Sequence, residues 1–308
     1  MILTVTLNAA LDITYTCGAL VPHASHRVDS VAERPGGKGL NVARVLAALG
    51  HDTVVTGFAG GHTGEVVRGL LAPLPVHDAL VPIDGATRRT VAVVDRASGD
   101  TTQLNEPGPA VLPSEWSALL GAYGSLLADA DAVALCGSLP PGIHVGAYAE
   151  LVRRARAAGV PVLLDTSGEP LRRGIAARPD LVKPNADELA RLTGAREPLR
   201  ATCDARRRGA HAVVASLGPD GLLAVTPDGT WRATPPAAVK GNPAGAGDSV
   251  VAGLLSGLVE NLPWPDRLAR AVALSAATVM APAAGEFDPR AYQELLPRVR
   301  VDAHAAAA

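Results

Sequence analysis

Asn242-Pro243-Ala244-Gly245-Ala246-Gly247-Asp248-Ser249, running straight into Val250-Val251-Ala252-Gly253-Leu254-Leu255, is the stretch on which the reading of this chain turns. Glycines let a backbone turn tightly and approach a ligand closely. The apolar run behind them predicts a helix from Gly245 through Leu258. A helix opening on a glycine turn presents free N–H groups and a positive dipole end, which suits a phosphate. Asp248 stands where such a phosphate would be held. The same residues also make a plain glycine turn with Asp248 as helix N-cap, an ordinary place for Asp.

Outward from this segment, short apolar runs alternate with helical patterns. Strands are predicted at Ile2–Leu7, Thr53–Phe58, Ala130–Cys136, Val160–Asp165, Leu181–Lys183 and Ala212–Ser216. A hairpin is predicted around Pro227-Asp228-Gly229. Helices are predicted at Gly39–Leu49, Gly64–Leu71, Val145–Ala158, Asn185–Leu192, Cys203–Arg208 and Pro265–Met280. Continuous apolar strands between helices imply an α/β fold whose mostly parallel sheet is covered on both faces. Two half-polar segments, about 12–34 and 87–105, break the alternation. They read as antiparallel strands of a small lid sheet inserted in a single domain of 308 residues. Arg206-Arg207-Arg208 reads as a solvated helix face, and the Ala-rich end from His304 as frayed.

The composition removes whole classes of function. With 48% hydrophobic and 19% charged residues the chain buries a large core. A net charge of −2 with 3% aromatics leaves neither a basic footprint nor stacking rings for nucleic acid. Cys17, Cys136 and Cys203 are odd in number and form no C-x-x-C, so neither a disulfide framework nor a zinc site is expected. No apolar run is long enough to span a membrane. Met1–Leu7 reads as a first strand rather than a signal peptide, and a reducing cytoplasm is the expected compartment.

Five further loops carry chemistry. Pro35-Gly36-Gly37-Lys38-Gly39-Leu40-Asn41 opens a helix with exposed amides, but its spacing is not that of a P-loop. Asn8-Ala9-Ala10-Leu11-Asp12 leaves the first strand, where an acid can accept bonds from hydroxyls. Lys183-Pro184-Asn185-Ala186-Asp187-Glu188 puts Asn185 and Glu188 on one face of a first helical turn. That pair suits Mg²⁺ held through waters, and equally a capping box. Ser216-Leu217-Gly218-Pro219-Asp220-Gly221 and Gly137-Ser138-Leu139-Pro140-Pro141-Gly142 each end a strand in a glycine turn. The predicted strands place these loops at carboxyl ends, along one rim, where ligands of open α/β sheets lie.

With these motifs in this order, from Met1 to about Ala284, the chain resembles the PfkB (ribokinase-like) carbohydrate kinases, in the branch of the 1-phosphofructokinases and tagatose-6-phosphate kinases. The resemblance implies a three-layer α/β/α domain with a mostly parallel sheet and a small β-sheet lid. It implies ATP-dependent phosphorylation of a phosphorylated ketohexose, first of all fructose 1-phosphate, with tagatose 6-phosphate and fructose 6-phosphate as alternatives. On it, Asp248 is the catalytic base, and Gly245, Ala246 and Gly247 form an anion hole. Lys183, Asn185 and Gly247, with Ser216, Leu217, Gly218, Pro219, Asp220 and Gly221, hold ATP. Asn185 and Glu188 hold Mg²⁺ through water. Asp12, Gly37, Lys38, Asn41, Arg88 and Ser138 hold the sugar phosphate, joined by Arg27. Lid edges invite pairing into a homodimer. No nucleic acid or membrane partner is expected.

Three positions depart from the pattern: Ala9 stands for a proline, Asn242-Pro243-Ala244 lacks the usual hydroxyl, and Gln103 stands where some relatives carry a basic residue. The run Thr102–Pro109 looks most like the fructose 1-phosphate enzymes. Asp248, at a helix N-terminus, is expected to have a low pKa and stay ionised at neutral pH. Two readings from other classes remain. Gly57–Gly64 superficially suggests a dinucleotide enzyme but lacks the full glycine pattern, and a non-catalytic sugar-phosphate sensor would keep the loops without turnover.

Overall fold

Apolar runs bounded by glycine and proline turns become strands, and amphipathic runs become helices. The computed structural model describes residues 1–237, 239–281 and 283–303; the expected fraying from His304 lies outside them. In chain order the elements are β1 (Ile2–Thr6), β2 (Ala10–Cys17), β3 (Ser30–Gly36), α1 (Lys38–Ala48), β4 (Thr53–Gly60), α2 (Gly61–Leu71), β5 (His77–Asp78), β6 (Val81–Ile83), β7 (Arg88–Asp95) and β8 (Thr101–Asn105). There follow α3 (Pro113–Leu126), β9 (Ala132–Cys136), α4 (Ala147–Ala157), β10 (Val162–Asp165), α5 (Gly168–Ala176), β11 (Leu181–Val182), α6 (Ala186–Thr193), α7 (Pro198–Arg207) and β12 (Ala212–Ser216). The last are β13 (Leu222–Thr226), β14 (Gly229–Thr234), α8 (Ala246–Val259), α9 (Trp264–Val279), α10 (Pro289–Leu295) and β15 (Arg300–Ala303).

The main sheet runs β15-β14-β13-β12-β11-β10-β9-β1-β4-β5, with β6 also on β4. From β12 to β5 the pairings are parallel; β13, β14 and β15 add antiparallel strands at one edge. Strand side chains alternate between faces. Val133 and Leu135 of β9 join a core with α3 to α7, while Ala132, Ala134 and Cys136 join one with α1, α8 and α9. Three layers result, as the α/β reading required. The unbroken apolar strands of the sequence are explained by burial on both faces.

The second sheet has the order β3-β2-β7-β8. Leu11 and Ile13 of β2 pack it onto α1 and α2. Its strands were expected to be antiparallel throughout. Instead β2 and β7 pair in parallel, Ala10 beside Arg88 and Asp12 beside Thr90. The reason is topological: β7 arrives after the long excursion through α1, β4 and α2, not through a hairpin turn. Helices α3, α5 and α10 and strand β15 were not foreseen. In α3 two glycines and three serines dilute the apolar period, and only Leu119 and Tyr123 are buried.

Candidate active site

The carboxyl ends of β1, β9, β10, β11 and β12 open on one rim, as the parallel pairing dictates. The loop Gly36–Asn41 reaches that rim from β3 of the small sheet, not from the core sheet. Gly37, at φ 106°, is the N-cap of α1, and Lys38 and Asn41 lie on the first turn. The N-cap of α8 is Gly245, at φ 81°, so Asp248 sits on the first turn inside the helix and makes no cap hydrogen bond. The plain N-cap reading is thereby excluded. Ala246 donates its N–H to Pro243 O (3.2 Å), while the Gly247 and Asp248 amides meet no acceptor among the described residues. Of the expected anion hole, the Gly245 and Gly247 amides are therefore free among the described residues and the Ala246 amide is not, while the Asp248 amide adds a further free donor.

Asp248 is 6% exposed. Asn41 donates Nδ2–H to its Oδ2 at 2.9 Å. Asn41 therefore aims the carboxylate, and this bond spends one of its two amide N–H groups. Burial pushes the Asp248 carboxyl up to about 6, assisted by the charge of Asp165 and opposed by Lys38, the Asn41 bond and Lys183. The expected low pKa is corrected: loss of hydration outweighs the helix dipole, because the charged form is the one burial penalises.

Asp165, at the end of β10, was read only as a strand residue. It is 1% exposed and lies between two ammonium groups, Lys38 Nζ at 3.2 Å and Lys183 Nζ at 3.4 Å. The negative charge of Asp165 raises the pKa of Lys38 against a larger desolvation effect, helped by Asp248 and Glu188. Lys183 also stands above the anion-hole backbone: a Cβ placed on Gly247 would lie 3.7 Å from its Nζ. A lone Asp at a strand end gives no local signal of this role. Only the pairing of β10 with β11, which brings Lys183, and the docking of α1, which brings Lys38, set both lysines on it.

The polar cradle next to the small sheet is built from backbone and side chain together. Arg88 donates from Nε to Asn8 O (3.1 Å) and from Nη1 to Thr90 Oγ1 (3.2 Å), which leaves part of its fork unspent. Asn8 donates to Pro107 O and Ser138 Oγ, at 3.0 and 3.1 Å, tying three loops together. Its Oδ1 is buried without a hydrogen-bond partner and packs against Gly108, where an added Cβ would overlap it. Burial raises the Asp12 carboxyl, opposed by Thr90, Arg88 and Arg44. Gly36 is required beside it, since a Cβ there would overlap the Asp12 carboxylate. Arg27 is not brought in: it stands exposed in the β2–β3 connection, with no hydrogen bond or ion pair among the described residues.

On the other side of Asp248 lies a cavity of about 650 Å³ with mostly apolar walls. Ser216, Gly218, Pro219 and Gly221 line it together with Ala246 and Gly247. Leu217 and Asp220, expected in the same group, face a separate depression beside Asn185. The far wall comes from Val272, Ala276 and Val279 of α9, which sequence reasoning missed because they read simply as core helix. Asn185 and Glu188 form a reciprocal capping box, Asn185 N to Glu188 Oε2 at 2.9 Å and Glu188 N to Asn185 Oδ1 at 2.8 Å. One carboxylate oxygen of Glu188 stays free of that box. No group of three or more acidic, His or Cys side chains suited to a metal occurs among the described residues.

The arrangement sets a buried, desolvated carboxylate between an apolar cavity and a cationic cradle, with free helix amides beside it. Such a site can hold a phosphorylated ligand on each side and accept a proton between them. Comparison with known proteins agrees with this chemistry. The chain is 40% identical over 283 residues to a 1-phosphofructokinase of Rhodobacter capsulatus, covering 89% of this chain and 90% of that protein. It is similar in structure to a possible 1-phosphofructokinase of Thermotoga maritima, with TM-score 0.90, 26% identity and coverage of 99% and 100%. It is also similar to phosphofructokinase-2 of Escherichia coli in complex with fructose-6-phosphate, with TM-score 0.87, 31% identity and coverage of 96% and 98%. The model of the pfkB family carbohydrate kinases matches residues 5–291, and the chain belongs to that family.

Proposed function

We propose that this kinase transfers the γ-phosphoryl group of ATP to fructose 1-phosphate, giving fructose 1,6-bisphosphate and ADP. The observation that carries the reading is the place of Asp248, buried between an apolar cavity and the cradle of Lys38, Arg88, Asn8 and Asp12. The adenine of ATP suits the walls of Val250, Val272 and Ala276, and its phosphates suit the Gly247 and Asp248 amides and Lys183. The phosphate already on the sugar suits Arg88, by its planar fork, and Lys38.

The transfer needs positioning and charge stabilisation more than covalent help from protein. The sugar's primary hydroxyl oxygen attacks the γ-phosphorus, the bond from that phosphorus to the bridging oxygen breaks, and ADP leaves. The hydroxyl proton passes to an Asp248 carboxylate oxygen. Its raised pKa makes Asp248 a better base than an ordinary carboxylate while keeping it mostly ionised at neutral pH. Asp165 holds Lys38 and Lys183 in place across the two half-sites.

A single half-exposed carboxylate with a neighbouring amide fits a Mg²⁺ ion that keeps most of its waters and is bound largely by substrate phosphates. Asn185 and Glu188 would hold it, and it would supply neutralisation of phosphate charge. For the assembly we propose a homodimer through the small sheet. Val21, Val28, Val31 and Leu104 of that sheet and its connection are exposed large apolar residues, an expensive surface to leave in water. One related structure is the tetrameric inhibited form of phosphofructokinase-2, so light scattering with and without ATP tests the state.

Fructose 6-phosphate is the second reading, favoured by the likeness to phosphofructokinase-2 with that sugar bound. A turnover panel with MgATP separates them, comparing fructose 1-phosphate, fructose 6-phosphate, tagatose 6-phosphate and free fructose. Fructose 1-phosphate is expected to lead in kcat/KM by about tenfold or more, a discrimination near 1.4 kcal/mol. A higher value for another sugar replaces the substrate assignment. Absence of any turnover removes the catalytic one.

A further inference from the structure

At the opposite end of the sheet, by the amino ends of β11 and β12, lies a second cavity of about 560 Å³. Its walls include Arg156, Arg178, Arg206, Arg207, His211 and Cys203. None of these lines the cavity beside Asp248. The five residues of β12 separate the two places by about 13 Å, at 3.3 Å per strand residue. Arg206 and Arg207, read from the sequence as a solvated helix face, here converge with arginines from two other elements.

The ordinary explanation is capping of helix ends, where cations meet free carbonyls. It covers only part of what is seen. Arg156 uses Nη1 alone, on Ala177 O and Arg178 O at 3.3 and 2.7 Å. Arg206 uses Nε alone, on His211 O at 2.9 Å. Neither has a carboxylate within ion-pair distance among the described residues, and nor does Arg178; only Arg207 does, on Asp204 at 3.1 Å. Asp180 in the wall is engaged with the Val162 amide at 2.8 Å. Four guanidinium groups against the carboxylates of Asp180 and Asp204 leave a positive excess in one concavity of a chain whose net charge is −2.

Arg178 adds a second observation. It follows the C-cap of α5 at φ 64°, one of three non-glycine residues with positive φ among the described residues. Glycine is the relaxed choice at that place. A guanidinium is carried there at a conformational cost, and it lines the cavity. The walls contain no Phe, Tyr or Trp ring for a base to stack on; Ala210 and Val225 are their apolar residues beside the glycine backbone.

We propose that this cavity binds a compact anion of the phosphate or polyphosphate class carrying two or more negative charges. The unspent guanidinium N–H groups of Arg156, Arg178 and Arg206 supply charge-assisted hydrogen bonds from three converging elements. The ligand bridges the ends of α4, α5 and α7, far from the phosphoryl-transfer rim.

Cys203 provides the reporter. It is the partly exposed one of three free cysteines, and Cys17 and Cys136 are buried. The full chain is titrated with pyrophosphate at constant ionic strength while alkylation of Cys203 by neutral iodoacetamide is followed by mass spectrometry. Saturable slowing of alkylation at micromolar to millimolar pyrophosphate is expected. Arg178→Gly removes one guanidinium and relaxes the backbone, so it folds at least as well. It should weaken the protection constant about tenfold or more, the loss of one charge-assisted bond. Arg206→Gln tests a second wall, and kinase rates without pyrophosphate should be unchanged in both. The proposal is overturned if pyrophosphate gives no protection, if sodium chloride protects equally, or if both variants keep the wild-type constant.

Discussion

Replacing Asp248 by Asn should make this protein more stable while it stops working. The carboxylate is buried, and its pKa is pushed from the ordinary 3.8 to about 6. At 1.36 kcal/mol per unit, that rise is a cost of about 3 kcal/mol for holding the charged form in the folded state. The sign follows from proton binding. Between these two values the folded chain binds more protons than the unfolded one, so stability falls as pH rises through this window. Above about pH 6 the full penalty is present; near pH 4 it is absent. Asn carries no charge, and its carbonyl oxygen can still accept the Asn41 bond of 2.9 Å. The variant should therefore gain about 3 kcal/mol at pH 7.5, or about 6 °C in Tm at about 2 °C per kcal/mol for a chain of this size. The gain should shrink to nothing near pH 4. Its kcat should drop by roughly 10²–10⁴, the ordinary worth of a general base. Wild-type activity should itself fall as pH drops through about 6, where Asp248 takes up its proton. Calorimetry across pH with a coupled ADP assay measures both arms. A variant no more stable than wild type at pH 7.5, or a gap that does not change with pH, refutes the desolvation argument.

Three other substitutions divide the site. Gly36→Ala sets a methyl against the Asp12 carboxylate, so KM for the phosphosugar should rise about tenfold or more, a shift near 1.4 kcal/mol, with KM for ATP unchanged in steady-state kinetics. Asp165→Asn leaves Lys183, 5% exposed, without its counter-charge; denaturation should show a loss of about 3 kcal/mol, and KM should rise for both substrates. Glu188→Gln keeps an acceptor for the Asn185 amide but removes the charge. A Mg²⁺ titration of the rate should need several-fold more metal, with stability changed by less than about 1 kcal/mol.

Much of the local architecture was legible before any coordinates. Gly37 and Gly245 do open helices, and their positive φ values explain why glycine is needed there. Asn185 and Glu188 form the capping box that their spacing announced. These features depend on a few neighbouring residues, so a short window of sequence contains them. What failed had long-range causes. The parallel pairing of β2 with β7 joins residues about eighty positions apart. The far wall of the 650 Å³ cavity belongs to α9, whose valines look like any core helix until packing against α8 and β14 places them opposite the glycine turn. Arg207 and Arg208 are exposed, as their pattern suggested, but that Arg206 and Arg207 share a concavity with Arg156 and Arg178 depends on α4 and α5, far off in sequence.

By itself, the sequence determined the alternation of strands and helices, the glycine turns that open α1 and α8, and the order of motifs that marks the family. Backbone freedom and side-chain period are local properties, written residue by residue. Tertiary structure alone decided the electrostatics. Asp165 became the partner of two lysines, Asn41 became the support of Asp248, and the pKa of Asp248 rose where a helix dipole alone would have lowered it. Desolvation and charge pairing depend on which atoms displace water around a group. That is settled only when β10, α1 and α8 have come together.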